Sequence, residues 1–144
     1  MKYFPYFYKI TIVRVLDGDT VEADFDLGFN ITHRVTVRLA GYDAPETFRP
    51  KTEAEAKAGA ECRHKLYNAL TYRPDSLYCR STKIDLYGRS TGIIYIKDHL
   101  TGDCNSVNDI MSYFIEQNGY TKKELRKKTL DEELHEVDSW GPSA

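Results

Sequence analysis

The chain has 144 residues, 41% of them hydrophobic and 29% charged, with a formal net charge of −2. That length suffices for one domain with a real core, the composition argues against disorder, and no window approaches the ~20 apolar residues a spanning helix needs. A net negative chain argues against a polyanion partner, but the charge is unevenly spread: residues 1–101 carry 15 basic and 13 acidic side chains, residues 102–144 carry 5 and 9.

In chain order, residues 8–16 (YKITIVRVL) are β-branched and largely alternating, which predicts a first strand. DGDT (17–20) supplies a turn. VEADFDL then puts Val21, Ala23, Phe25 and Leu27 on one face and Glu22, Asp24 and Asp26 on the other, the period-two pattern of a half-buried strand. The chain turns back at Gly28, and a third strand places Val35, Val37 and Leu39 inward with Arg34, Thr36 and Arg38 outward. Thr52 followed by Glu55 is a capping box for a helix whose buried stripe is Ala58, Cys62, Leu66, Ala69 and Leu70. Strands follow at 76–82 and 90–97, around the loop KIDLYGR. A second helix starts after Ser106 and stops at Gly119, and a third, charged one runs from about Lys122 to Glu136. The pattern implies an α+β domain over residues 1–140, a five-stranded Greek-key barrel of the OB type with three α-helices, and a frayed tail at 141–144.

The three cysteines, Cys62, Cys79 and Cys104, form no CxxC pair, so buried reduced thiols are expected rather than a disulfide framework or a zinc site. The segment MKYFPYFYKI lacks the apolar run and small-residue cleavage site of a secretory leader. A cytoplasmic protein is therefore expected if Met1 is the natural start, a secreted one if a leader has been trimmed.

Chemistry concentrates around the hairpin of the second and third strands. Asp19 begins one strand and Asp43 follows the end of the other, so the two carboxylates meet at the hairpin's open end. Two bare carboxylates so close repel unless they share a proton or a cation. Oxygen ligands on turns suit Ca²⁺ better than a transition metal. Glu46, beyond Pro45, can reach the same cleft, with Arg38 beside it and Arg89 elsewhere in the chain as a second arginine. Each acid alone is most simply a solvated turn residue; it is their gathering at one hairpin mouth that carries weight.

The blocks VLDGDTV, VRLAGYDAPE and DLYGR, in that order, resemble the thermonuclease (staphylococcal nuclease-like) family over about residues 9–119. The resemblance implies an OB barrel with three helices and a Ca²⁺-dependent phosphodiesterase acting on DNA and/or RNA, leaving 3′-phosphate ends. It implies Asp19 and Asp43 as carboxylate ligands of the metal and Ala44 as a backbone-carbonyl ligand. Glu46 corresponds to the general base, Arg38 and Arg89 to the phosphate-binding arginines, Asp17 to a supporting acid and Tyr87 to a nucleotide contact. Two positions depart from the pattern: Leu86 stands where a lysine is common, and Tyr120 is the only tyrosine near the place of an expected pair. A nucleic-acid substrate, no membrane partner and a monomer are expected. The rival expectation is a catalytically silent OB module that binds nucleic acid or protein; a third keeps the enzyme but restricts it to one polymer or another metal.

The aromatics Tyr3, Phe4, Tyr6, Phe7 and Tyr8 are expected to cover an end of the barrel. The run KKELRKK followed by DEELHE reads as a solvated helix with i,i+4 pairs.

Overall fold

A computed structural model of the chain describes residues 6–47, 50–84 and 90–127. Within them lie six strands: β1 (Phe7–Asp17), β2 (Thr20–Asp26), β3 (Thr32–Leu39), β4 (Leu77–Ile84), β5 (Ser90–Lys97) and β6 (Cys104–Ser106). The helices are α1 (Glu53–Thr71) and α2 (Val107–Gln117), with a further helical stretch, α3, at 122–127.

β1–β2, β2–β3 and β4–β5 pair antiparallel as hairpins, and β1 pairs with β4. A parallel pairing of β3 with β5 joins Val37 to Ser90 and Leu39 to Gly92, closing five strands into a barrel. Register shifts in β1 between Ile12 and Arg14, and between Val15 and Asp17, let this long strand bend around the wall. The inward residues expected from alternation make the core: Val21, Ala23, Phe25, Val37 and Leu39 are buried among Ile10, Leu77 and Ile94. Leu27 is an exception, 42% exposed, because β2 ends at Asp26, whose carboxylate accepts the Gly28 N–H at 2.9 Å and turns the chain outward.

Helix α1 begins as its sequence requires, with the Thr52 hydroxyl accepting the Glu55 N–H at 3.1 Å. The return bond of the capping box goes to Lys51 N–H instead of Thr52, at 3.4 Å from Glu55 Oε2. Ala58, Cys62, Leu66 and Leu70 are buried against the barrel, while Ala69 is only partly covered. Ser106 caps α2, and Gly119, at φ 68°, ends it in the left-handed conformation expected of that position. The third helix is confirmed over 122–127; its expected continuation to Glu136 lies outside the described residues, as do Tyr3 and Phe4.

Asn108 seals the barrel. Only 5% exposed, its amide donates to Ala40 O at 2.8 Å and Gly92 O at 3.0 Å, and its oxygen accepts the Ile94 N–H at 3.0 Å. A side chain from α2 thereby bridges the end of β3 and the start of β5. Strand β6, three residues long, is an addition to the expected five; it pairs with the outer edge of β5. Cys62 and Cys79 are buried and reduced as anticipated, but Cys104 lies on that short strand and is exposed.

Candidate active site

In the β2–β3 ladder Thr20 stands opposite Arg38, which sets the turn 17–20 beside the segment that leaves β3. The Leu39 N–H donates to Asp19 O at 2.7 Å, and the Tyr42 hydroxyl donates to Gly18 O at 2.7 Å, tying the two segments together. Tyr42 is thereby fixed as a neutral donor: burial first, and then the Asp19 charge, raise its hydroxyl well above the ordinary tyrosine value.

Asp19, Asp43 and Arg38 converge. Arg38 Nη2 donates to Asp43 Oδ1, lies 3.4 Å from Asp19 Oδ2, and donates to Tyr42 O at 2.7 Å, while Nη1 donates to Leu39 O. Arg38 points away from the barrel core, as alternation predicts, yet its side chain is only 14% exposed because this loop wraps it. Asp19 is 13% exposed: Oδ1 accepts the Thr20 hydroxyl at 2.9 Å and Oδ2 accepts the Ala44 N–H at 2.9 Å. Asp43 is 66% exposed and faces solvent. The mutual repulsion expected between the carboxylates is relieved by the guanidinium they share.

The donor set fits a hard cation in kind and in sign: two carboxylates on adjoining turns, one of them open to water, with backbone carbonyls nearby. Among the described residues no cluster of three or more His, Cys, Asp or Glu is placed to hold a metal ion, so carbonyls and water would have to complete the shell.

Glu46 is exposed and, among the described residues, its carboxylate makes no hydrogen bond or ion pair. Its backbone, by contrast, is held from three sides. Pro45 is fully buried. Asp17 Oδ1 accepts the Thr47 N–H at 3.2 Å and also the Thr47 hydroxyl. Asp17 thus grips the residue after Glu46, and supports the site from the Glu46 side. On the third side Gly59 of α1 comes so close that a Cβ there would lie 2.8 Å from Glu46 O, and a Cβ on Gly18 would lie 2.7 Å from Cys62 Cβ and 2.8 Å from Ala44 Cβ. Two glycines let helix, turn and loop meet backbone to backbone.

Arg89, Tyr87 and Leu86 lie outside the described residues. Tyr120 serves α1: its hydroxyl donates to Glu61 and its ring packs against Phe114 at 6.1 Å, and its titration is pushed up to about 12, chiefly by that hydrogen bond. Sequence reasoning missed Tyr42, Thr47, Gly18 and Gly59, which act on the site through contacts between distant segments.

A closed five-stranded barrel with helices, carrying two acids and an arginine on the turns at one hairpin mouth, has the architecture of the staphylococcal nuclease-like OB fold. No protein-family model matches the sequence. It is 26% identical over 133 residues to a micrococcal nuclease of Shigella flexneri, across 91% of this chain and 67% of that protein. It is 32% identical over 89 residues to a thermonuclease of Staphylococcus intermedius, across 62% of this chain and 49% of that protein. The matches thus span about two thirds and about half of these relatives' lengths. Together they support the thermonuclease (staphylococcal nuclease-like) family for this chain.

Proposed function

We propose that this chain is a nuclease: a Ca²⁺-dependent phosphodiesterase that hydrolyses DNA and/or RNA at the 5′ P–O bond and leaves 3′-phosphate ends. The observation that carries the reading is the convergence of Asp19, Asp43 and Arg38 at one hairpin mouth in a chain similar to two proteins named as nucleases.

Asp19 and Asp43, with the Ala44 carbonyl, would hold Ca²⁺. When bound, the ion supplies positive charge that neutralises the phosphate and the charge developing on its oxygens. Arg38 holds a fixed positive charge in the same place; to bind a phosphate bidentately, as lysine cannot, its fork would exchange the Asp43, Tyr42 O and Leu39 O contacts it makes here. The resemblance assigns Arg89 the same task. Glu46, whose carboxylate has no partner among the described residues and whose backbone is clamped by Asp17, Pro45 and Gly59, orients the attacking water and takes its proton. Tyr42 keeps the turn and loop in register, and Tyr87 contacts the nucleotide.

The test is cleavage of end-labelled single-stranded DNA by the purified protein with Ca²⁺, with a chelator, and with Mg²⁺ or Mn²⁺. Ca²⁺-dependent cleavage leaving 3′-phosphate ends is expected. Glu46→Gln should lower the rate by ~10²–10⁴-fold while substrate affinity stays within about threefold. Strand binding without cleavage under every metal condition would overturn the reading in favour of a silent binding module.

A further inference from the structure

The barrel has two outer walls of opposite character. On the outer face of β1–β2–β3 charges are paired across the strands: Arg14 with Glu22 at 3.0 Å, and Arg34 with Asp24 at 2.8 Å and Glu22 at 3.8 Å. On β1–β4–β5 the outward positions include a group of aromatic and cationic side chains. Lys9 stands opposite Tyr78, and Tyr78 opposite Tyr95, so these side chains share one face with Phe7. Phe7 stacks on Tyr78 at 5.5 Å with planes 4° apart, lies 6.0 Å from Tyr95, and keeps 38% of its surface exposed. Lys97 Nζ sits 5.9 Å from the Tyr78 ring centroid. Among the described residues neither Lys9 nor Lys97 is in an ion pair.

The geometry points to this β1–β4–β5 face as a second binding surface, for a single strand of nucleic acid, separate from the cleft at Asp19 and Asp43. Phe7, in contact with both Tyr78 and Tyr95 and 38% exposed, presents ring surface on which bases stack whatever their sequence, and Lys9 and Lys97, in no ion pair among the described residues, complement the phosphates beside it. Three strands at ~4.8 Å spacing span about two or three nucleotides. The opposite wall, its charges internally paired, offers a polyanion neither feature. The inference rests on the nuclease reading for its biological sense: the face would hold a long strand while the cleft works on another part of it.

The full chain is tested as Glu46→Gln, so that the strand survives, with Lys9→Glu/Lys97→Glu or Tyr78→Leu added. Fluorescence anisotropy of a labelled oligothymidylate of about twenty nucleotides is measured across salt, and the same charge reversal in the unaltered background is assayed on a dinucleotide substrate. The charge reversal should weaken long-strand binding at least ~10-fold and reduce the salt slope by ~1.4, about 0.7 for each phosphate lost. Tyr78→Leu, which keeps volume and removes the ring, should weaken binding several-fold and leave the slope unchanged. Dinucleotide cleavage should be unaltered by the charge reversal. Long-strand affinity within about twofold of the parent in both variants would overturn the proposal. So would dinucleotide cleavage falling in step with long-strand binding, or a dimer that Tyr78→Leu dissociates without affecting strand affinity. If the unaltered protein cleaves nothing, the nuclease reading fails while the anisotropy still decides the binding face.

Discussion

Replacing Gly59 by Ala sets two effects of opposite sign against each other. Gly59 lies inside α1, where alanine ordinarily stabilises a helix by ~1 kcal/mol. The added Cβ, however, would sit 2.8 Å from Glu46 O and 3.2 Å from Pro45 O. Both atoms are backbone, on a segment fixed by the Asp17–Thr47 bonds and the burial of Pro45, so neither can swing aside as a flexible side chain would. Overpacking of this kind costs ~1–3 kcal/mol, which leaves a net loss of ~0–2 kcal/mol after the helix gain. In a domain of this size the melting temperature then falls by up to ~7 °C, at ~3–4 °C per kcal/mol. The larger effect should be on rate. Relief of the clash moves the Glu46 backbone by a few tenths of an ångström or more, and misplacement of a catalytic group by ~1 Å can cost ~10²-fold. Thermal melts followed by circular dichroism, paired with cleavage kinetics, measure both effects. Ala60→Gly is the control: on the exposed neighbouring position it should lower stability by ~1 kcal/mol with no change in rate. A Gly59→Ala protein that melts several degrees higher and cleaves normally would refute the reasoning.

Asp17→Asn keeps the shape but weakens the acceptor for Thr47; kcat/KM should fall ~10-fold or more with KM little changed, and Thr47→Val combined with it should add almost nothing if both act through the same contact. Asn108→Ala strands the Ile94 N–H and the Ala40 carbonyl, while Gly92 O keeps the Ala40 N–H at 2.9 Å, so urea denaturation should show a loss of ~2–4 kcal/mol; a loss below ~1 kcal/mol would mean water replaces the amide. Alkaline stability should decline between pH 9 and 12. Burial pushes the Cys62 and Cys79 thiols up from 9.0 to about 12, and Tyr120 rises from 10.0 to about 12 chiefly through its bond to Glu61. The unfolded chain therefore releases these protons first, so the stabilisation is complete below pH 9 and lost as pH climbs to 12. Urea midpoints at unit pH steps test this, and Cys79→Ala should flatten the decline.

Alternation made β1, β2 and β3 legible because one face of each is buried, and the caps at Thr52, Ser106 and Gly119 made the helix ends legible because they answer local backbone needs. The same local logic overreached at Leu27, where a turn set by Asp26 reverses the pattern, and at Cys104, whose three-residue strand is too short to show a period. At the site, the acids and Arg38 could be gathered in advance because they flank a single hairpin. Gly59 and Thr47 could not, since their roles are contacts with segments dozens of residues away. Nothing local marks Asn108, near the start of α2, for a structural role; only the closed barrel gives its amide three partners.

The β3–β5 seam has a kinetic consequence. Every other pairing that flanks it is a hairpin, closed by a short loop, whereas Val37 and Ser90 must find each other across about fifty residues, at a greater entropic cost of closure. The same holds for β1 and β4, where Lys9 meets Tyr78 across about seventy residues, so both long-range pairings are expected to follow the hairpins, and Asn108 of α2 bridges the β3–β5 one. The segment that carries Asp43 and Glu46 issues from the very end of β3 at that seam. On the proposed nuclease reading, recovery of cleavage during refolding should therefore report closure of the long-range pairings: a chain with only its hairpins in place should still be inert.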